Sequence, residues 1–353
     1  MNDPTVMNDD PEDLSELSDE LYERMTIRVD KGQEPLRIDK FLTTRIQHAS
    51  RNKIQQGIEA GRVLVNTKMV QSNYKIRPLD EIIIYSEKPG VGEEIVPENI
   101  PLNIVYEDEE LLVINKPAGM VVHPGSGNYS GTLINGVAYY LQQQNATITE
   151  ETLPRFGLVH RIDKNTSGLM VIAKTSRAVT SLAKQFFDHS VSRKYIALVW
   201  GDLEENKGTV VAHVGRHQRF RKIFEAYPDG EHGKDAITHY EVVKRFGYVT
   251  LIECTLETGR THQIRVHMKY LGHPLFNDDT YGGDKIVKGT IFNRYRQFVE
   301  NCFQICPRQA LHAKTLGFVH AVSRREMFFE CELPSDMKGL IEKWASYTKE
   351  KKI

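Results

Sequence analysis

The sequence predicts an α+β protein with a large, mostly antiparallel mixed sheet in its main domain and a small α/β domain before it. Three observations carry this. From residue 102 onward, β-rich apolar runs follow one another with helices between only some of them, without regular βαβ alternation. Between residues 26 and 86, two short helical patterns precede two strand patterns. Between these regions lies SEKPGVGEEIVPENIP, which holds three prolines and two glycines and no apolar period.

The elements follow in order. Residues 1–25 read as an acidic flexible tail: up to Glu23 it holds nine Asp and Glu and no Lys or Arg. The small domain, 26–86, opens with TIRVD, a short strand. In IDKFLTTRI, Ile38, Phe41, Leu42 and Ile46 recur at helical spacing. Ser50 is placed to N-cap a second helix, RNKIQQGIEAG, with Ile54 and Ile58 one turn apart and Gly61 at its end. RVLVN and DEIIIY follow as strands. Residues 87–101 read as the linker and 102–349 as the main domain. Its strands are LNIVYED, LLVINKP, LMVIAKT, KYIALVWG, THYEVVKRF, YVTLIECTLE and MFFECELP, and AVTSLAKQFFDHS reads as a helix.

Composition excludes some classes. The chain has 353 residues, enough for two or three domains. No apolar run approaches the ~20 residues of a membrane-spanning helix, and the first residues do not form a signal peptide. Four cysteines in a chain this long fit reduced thiols, so a cytoplasmic, membrane-free monomer is expected. Cys302 and Cys306 read as buried small apolar residues. The net charge of −1 hides an asymmetry. Without the tail's nine acids, 46 basic side chains face 38 acidic ones, leaving a body near +8.

Two regions invite function. Lys40, Arg45, Arg51, Lys53 and Arg62 lie on or beside the two short helices, where phosphate oxygens are commonly held. Alone, such a pattern is usually a solvated face. The order RIDKFL, SRNKIQQGIEAGRVLVN, DEIIIY resembles the small RNA-binding module named after ribosomal protein S-four, over most of 37–85. Asn66-Thr67 stands where that family often has Asn-Gly.

In the main domain, Asp163 lies in GLVHRIDKNTSGLMVIAKT, whose Asp-Lys-Asn-Thr-Ser-Gly has the composition of a tight turn. An arbitrary turn Asp caps its own backbone. Tyr195 alternates with Ala197 and Val199 on one face of a strand, where a core tyrosine is the commoner case. In LETGRTHQIRVHMKYLG, Thr261 is placed to N-cap a helix with an Ile264, Met268, Leu271 stripe and Gly272 at its end. Arg265 projects beside that stripe. His262 and His267 are five apart, not the four that aligns two metal ligands on a helix, so no metal is expected. Asp278-Asp279 reads as structural.

Together these segments resemble the RluA-type pseudouridine synthase family, in its RluD-like subgroup with an N-terminal S-four-type module. HRIDKNTSG corresponds to HRLD-x-x-TSG, with Ile162 where Leu is usual. TGRTHQIRVHM matches without a gap, and NKPAGMVVHPG, GTLINGVAYYL and LHAKTLGFVH match further segments, covering about 37–334. An apparent extra helix in 289–308, and Ala321-Val322 in place of a frequent proline, are departures.

The resemblance implies a pseudouridine synthase catalytic domain and the isomerisation of uridine in RNA. The bond from ribose C1′ to N1 breaks, and one from C1′ to C5 forms. No cofactor is implied, and none of the glycine spacing of dinucleotide or P-loop sites occurs. By the same resemblance Asp163 is the catalytic carboxylate and Arg265 holds it bidentately. Tyr195 meets the base, and Arg161 helps hold the RNA open. Arg260 lines the cleft with Lys116, His123 and His160. The resemblance leaves open whether Asp163 attacks ribose or base or takes a ribose proton. Large-subunit ribosomal RNA is favoured as the partner over transfer RNA. A non-catalytic RNA-binding protein and a metal-dependent hydrolase are the rival readings.

Overall fold

The structure, a computed structural model, describes residues 22–46, 50–86, 95–124, 128–144, 153–220, 223–290 and 292–351. It divides into two units, the second beginning at Ile95. Most of the acidic tail, 1–21, and part of the linker, 87–94, lie outside the described residues.

In the first unit, α1 (Ile38–Arg45) and α2 (Arg51–Glu59) bury the expected apolar positions, Ile38, Phe41, Leu42, Ile54 and Ile58. Ser50 Oγ accepts the Lys53 N–H at 3.4 Å, the predicted cap. The helices pack with a four-stranded sheet in the order β1 (Tyr22–Arg28), β4 (Glu81–Ser86), β2 (Val63–Val65), β3 (Lys68–Met69). The strand therefore takes in the last four residues of the expected tail, 22–25. Main-chain pairing of β1 with β4 draws those residues in, because a ladder bonds backbone whatever the side chains. Asn66 and Thr67 join β2 to β3 with φ of 50° and 67°. A two-residue hairpin needs that at both positions, which is why the related pattern favours glycine at the second.

The linker is shorter than predicted. Residues 95–101 belong to the second unit, where Asn135 Nδ2 donates to the Val96 carbonyl at 2.8 Å and the Glu98 N–H donates to the Asn135 carbonyl at 3.0 Å. Pro and Gly marked the boundary, but not these ties to Asn135.

Nine strands form the main sheet among the described residues. Their order is β5 (Ile104–Glu107), β6 (Leu111–Lys116), β7 (Ser167–Ala173), β14 (Leu311–Val319), β8 (Ser192–Trp200), β13 (Val249–Leu256), β12 (Ile237–Arg245) and β9 (Lys207–Val211), with β15 (Glu326–Glu330) also on β14. Only the β7–β14 pair is parallel. β10 (His213–Arg216) and β11 (Phe224–Tyr227) form a separate hairpin.

The pleat sends alternate residues to opposite faces. Leu112, Ile114, Met170, Ile172, Tyr195, Ala197 and Val199 share one core with α3 (Leu133–Gln143) and α5 (Gln263–Tyr270). Leu111, Val113, Leu169 and Val171 face the other way, against α4 (Ser176–Phe187). Ile196, Leu198 and Trp200 do likewise, against α6 (Asn293–Ile305) and α7 (Ser335–Lys351). The helix expected in 289–308 is thus α6, and it covers a sheet face. Cys302 and Cys306 are fully buried there.

Candidate active site

Asp163 opens a β-turn: the Thr166 N–H donates to the Asp163 carbonyl at 3.0 Å. Both central carbonyls of the turn are held. Lys164 O accepts from Lys116 Nζ at 3.1 Å and from the Gly119 N–H at 2.8 Å. Asn165 O accepts from Arg308 Nη1 at 2.9 Å. The turn then enters β7 at Gly168, with φ of 120°, where a Cβ would lie 2.1 Å from the Ala313 carbonyl oxygen on β14. The Ser-Gly after the turn lets that close pass happen. Asp163 is therefore fixed from the backbone, and its side chain is left to face the site.

Arg265 Nη1 donates to Asp163 Oδ2 at 3.0 Å. The bidentate partner is not Asp163, as the resemblance implied, but Asp278. Arg265 Nε donates to Asp278 Oδ2 at 2.8 Å and Nη2 to Oδ1 at 2.9 Å. Asp278 is fully buried and also accepts from the Thr280 and Tyr281 N–H groups. The guanidinium lies 5.0 Å from the Tyr281 ring centroid, in cation–π contact. The fork is thus set by Asp278, and Nη1 is the arm that reaches Asp163. The sequence showed Asp278 only as a loop acid. No spacing marks a pair 13 residues apart across a helix end.

Burial by itself raises a carboxyl pKa. Here the charges of His262, when it is protonated, of Arg265 and of Arg161, with the Arg265 hydrogen bond, work against burial, and the net effect holds Asp163 below its ordinary 3.8. Asp163 is ionised at neutral pH. Its other oxygen, Oδ1, has His262 Nε2 at 3.9 Å.

Tyr195 lies on β8 on the predicted face, 7% exposed. Its hydroxyl makes no hydrogen bond with any described residue, and burial raises its pKa, helped by the Asp163 charge and opposed by Arg193. Lys116 is fully buried, and its Nζ donates to the carbonyls of Pro117, Met120 and Lys164. Burial pushes its pKa down to about 7, with Asp163 working the other way. Three acceptors require three N–H donors, which only the ammonium has, so the geometry favours the charged form.

Other expectations fare differently. Arg161 is half-buried beside Asp163. Arg260 Nε donates to the Asp235 carbonyl at 2.9 Å, and its N–H to Gln263 Oε1 at 2.9 Å. His123 sits half-buried on the loop after β6, with Nδ1 3.0 Å from the Pro124 carbonyl. His160 does not line a cleft. Its Nε2 accepts the Val171 N–H at 2.9 Å and its ring stacks on Phe186, in the core beneath α4. Thr261 is not the cap of α5. That position is His262, in the left-handed region at φ 58° with no side-chain cap. Gln263 Oε1 instead fixes the loop leading into the helix, accepting from the Arg260 N–H at 2.9 Å and the Thr258 hydroxyl at 2.8 Å. His262 and His267 do not converge: His267 faces Thr238 Oγ1 and the Ala212 carbonyl.

In the first unit, Lys40 and Lys53 are exposed on the helices and Arg62 is half-buried at the start of β2. Arg51 pairs with Asp39 at 2.8 Å while its side chain stays 47% exposed. That carboxylate is fully buried and gathers Arg37, Arg51, Gln55 and the Lys40 N–H, which together hold its pKa far below 3.8 against the effect of burial. Arg51 ties α2 to α1.

The family model described as RNA pseudouridylate synthase matches residues 110–270, and the S4 domain model matches 36–82. The chain is 45% identical to an uncharacterized RNA pseudouridine synthase of Chlorobaculum parvum, over 90% of this chain and 97% of that protein. It is 42% identical to the ribosomal large subunit pseudouridine synthase D of Zymomonas mobilis, over 87% of this chain and 93% of that one. The chain belongs to the RNA pseudouridine synthase family. A solved human structure, RNA Pseudouridylate Synthase Domain Containing 4, shares the fold at 21% identity and a TM-score of 0.52, covering 69% of this chain and 93% of that one. The family match spans Lys116, Asp163, Tyr195 and Arg265, so the cluster above falls inside the matched domain of this RNA pseudouridine synthase. No helix among the described residues is long and apolar enough to cross a membrane.

Proposed function

We propose that this synthase isomerises uridines in large-subunit ribosomal RNA, with Asp163 as the catalytic carboxylate and no cofactor. The observation that carries the reading is Asp163 on a backbone-locked turn, with one oxygen held by Arg265 and the other accepting no hydrogen bond among the described residues. Whether the carboxylate attacks the ribose or the base or takes a ribose proton, it needs a charged, aimed oxygen with an available lone pair. Oδ1 fits that need.

Tyr195, whose hydroxyl makes no hydrogen bond among the described residues, meets the target base. Arg161 grips the RNA around the flipped nucleotide, whose extrusion costs a few kcal/mol. The S4-type unit binds RNA through Lys40, Arg51, Lys53 and Arg62, and Arg260 adds a cation on the loop before α5. Relatives named for the ribosomal large subunit support that substrate over transfer RNA.

The test is tritium release from C5-tritiated uridine in ribosomal and transfer RNA transcripts, with chelator present. Wild-type protein releases tritium from the ribosomal transcript, and Asp163→Asn releases none while still binding. Full release by Asp163→Asn would sink the catalytic assignment, and release from transfer RNA alone would reverse the substrate. Loss of release on adding chelator would favour a metal-dependent reaction.

A further inference from the structure

The mechanism above leaves His262 without a role, yet the structure holds it with care. Its backbone is in the left-handed region at φ 58°, strained for a residue with a side chain. Its ring is boxed edge-on between Phe224 and Tyr281, with centroids 5.6 Å away in each case. Nδ1 lies 2.8 Å from the Tyr281 hydroxyl, and Nε2 points toward Asp163 Oδ1.

The hydrogen bonds assign the proton. The Tyr281 oxygen already accepts the Phe224 N–H at 3.2 Å. Among the described residues, the acceptor for the Tyr281 O–H is His262 Nδ1, at 2.8 Å. With Nδ1 accepting, the neutral imidazole carries its proton on Nε2, the nitrogen that faces the carboxylate. The charged groups around the ring are Asp163 on the turn, Arg161 before it, Arg265 on α5 and Asp278 on the following loop. Burial, ahead of these charges, keeps the imidazole neutral at pH 7.

The gap is 3.9 Å, beyond a hydrogen bond by roughly 1 Å. Catalytic contacts of this kind commonly tighten only when substrate fills the site.

We propose that His262 is a positioning residue for Asp163: its Tyr281-fixed Nε2–H closes onto Oδ1 when the target nucleoside fills the site. Arg265 and His262 then hold the two carboxylate oxygens from opposite sides and fix the lone pair that reacts. A neutral donor does this without forming an ion pair that would quench the carboxylate. The proposal rests on Asp163 being the catalytic carboxylate.

The experiment compares wild type, Asp163→Asn, His262→Leu and His262→Gln. It reads single-turnover tritium release at saturating RNA, RNA affinity and melting temperature. Gln and Leu share the same backbone strain, but only Gln offers an N–H at similar reach. The expected result is a rate loss of roughly ten- to a hundredfold in His262→Leu, the range for a hydrogen bond to a charged group. RNA affinity stays unchanged, and most of the rate returns in His262→Gln. Nitrogen-15 spectra of histidine-labelled wild type should place the proton on Nε2, a readout that needs no variant to fold. Three results overturn the inference: a wild-type rate in His262→Leu while Asp163→Asn is inactive, equal loss in Leu and Gln, or a proton on Nδ1. Full activity in Asp163→Asn would instead remove the reading beneath it.

Discussion

Replacing Arg265 with methionine is the obvious way to test its hold on Asp163, and the structure says the result will be confounded. Arg265 makes one hydrogen bond to Asp163 but two to Asp278, which is fully buried. Arg265→Met leaves Asp278 with two backbone N–H donors and no counter-charge. Removing one partner of a buried ion pair costs about 3–5 kcal/mol. At about 2–4 °C per kcal/mol for a unit of this size, the melting temperature falls by roughly 10 °C. Asp163→Asn is different. The Arg265–Asp278 pair survives, and Asp163 is 19% exposed, so stability changes by no more than about 1 kcal/mol. The assay is thermal unfolding beside tritium release for both variants and for Arg265→Met with Asp278→Asn. The double variant should recover part of the lost stability, because the orphaned charge is gone. Both variants should lose turnover, but only Arg265→Met should melt early. An unchanged melting temperature in Arg265→Met would refute the claim that Asp278 depends on it.

Two further outcomes follow from other parts of the chain. Lys40→Gln and Lys53→Gln should each lower the slope of log affinity against log salt by about 0.9 if each side chain neutralises one phosphate, with turnover at saturating RNA unchanged. An unaltered slope would argue against the S4-type unit as the grip. Stability should also fall in mild acid: burial holds His160 at about 3 and His312 at about 4, and lowers His267 as well. Their folded values lie below the unfolded one, near 6.5, so the unfolded chain binds more protons and the folded state loses stability as pH drops from ~6.5 toward 4, by up to ~1.4 kcal/mol per pH unit for each histidine. Urea midpoints at pH 7.5, 6 and 5 measure this, and a flat series would contradict the buried, neutral assignment.

The sequence was legible where period and composition agree. α1, α2 and α5 carried apolar stripes, and the Asp163 turn carried turn residues, so those elements and their buried faces were predictable. It was silent where burial removes the period. β14, LHAKTLGFV, is buried along nearly its whole length at the centre of the sheet, so no alternation marks it as a strand. β9 to β11 are short and lie largely in polar sequence, which gives too few positions to count. Arg51 shows what residue type alone leaves out: its basic side chain also ties α2 to the buried Asp39, twelve residues earlier, a structural contact that no spacing marks.

The least legible feature is also the one that organises the site. Asp163 and Asp278 share a single guanidinium, and exposure divides their tasks. Asp278, without solvent, takes two arms of the fork and becomes part of the fold. Asp163, partly exposed, takes one arm, and among the described residues its Oδ1 accepts no hydrogen bond. A carboxylate gripped on both oxygens by a guanidinium would be well aimed, but a second charged donor would lower its basicity more than a neutral one does. Giving the stronger grip to a second acid solves that conflict. Arg265 is held rigidly by a residue that does no chemistry, so it can orient the reacting residue through a single bond. The arrangement needs Asp278 near α5 in space, and only the fold, through the loop that returns beneath the helix, supplies that proximity.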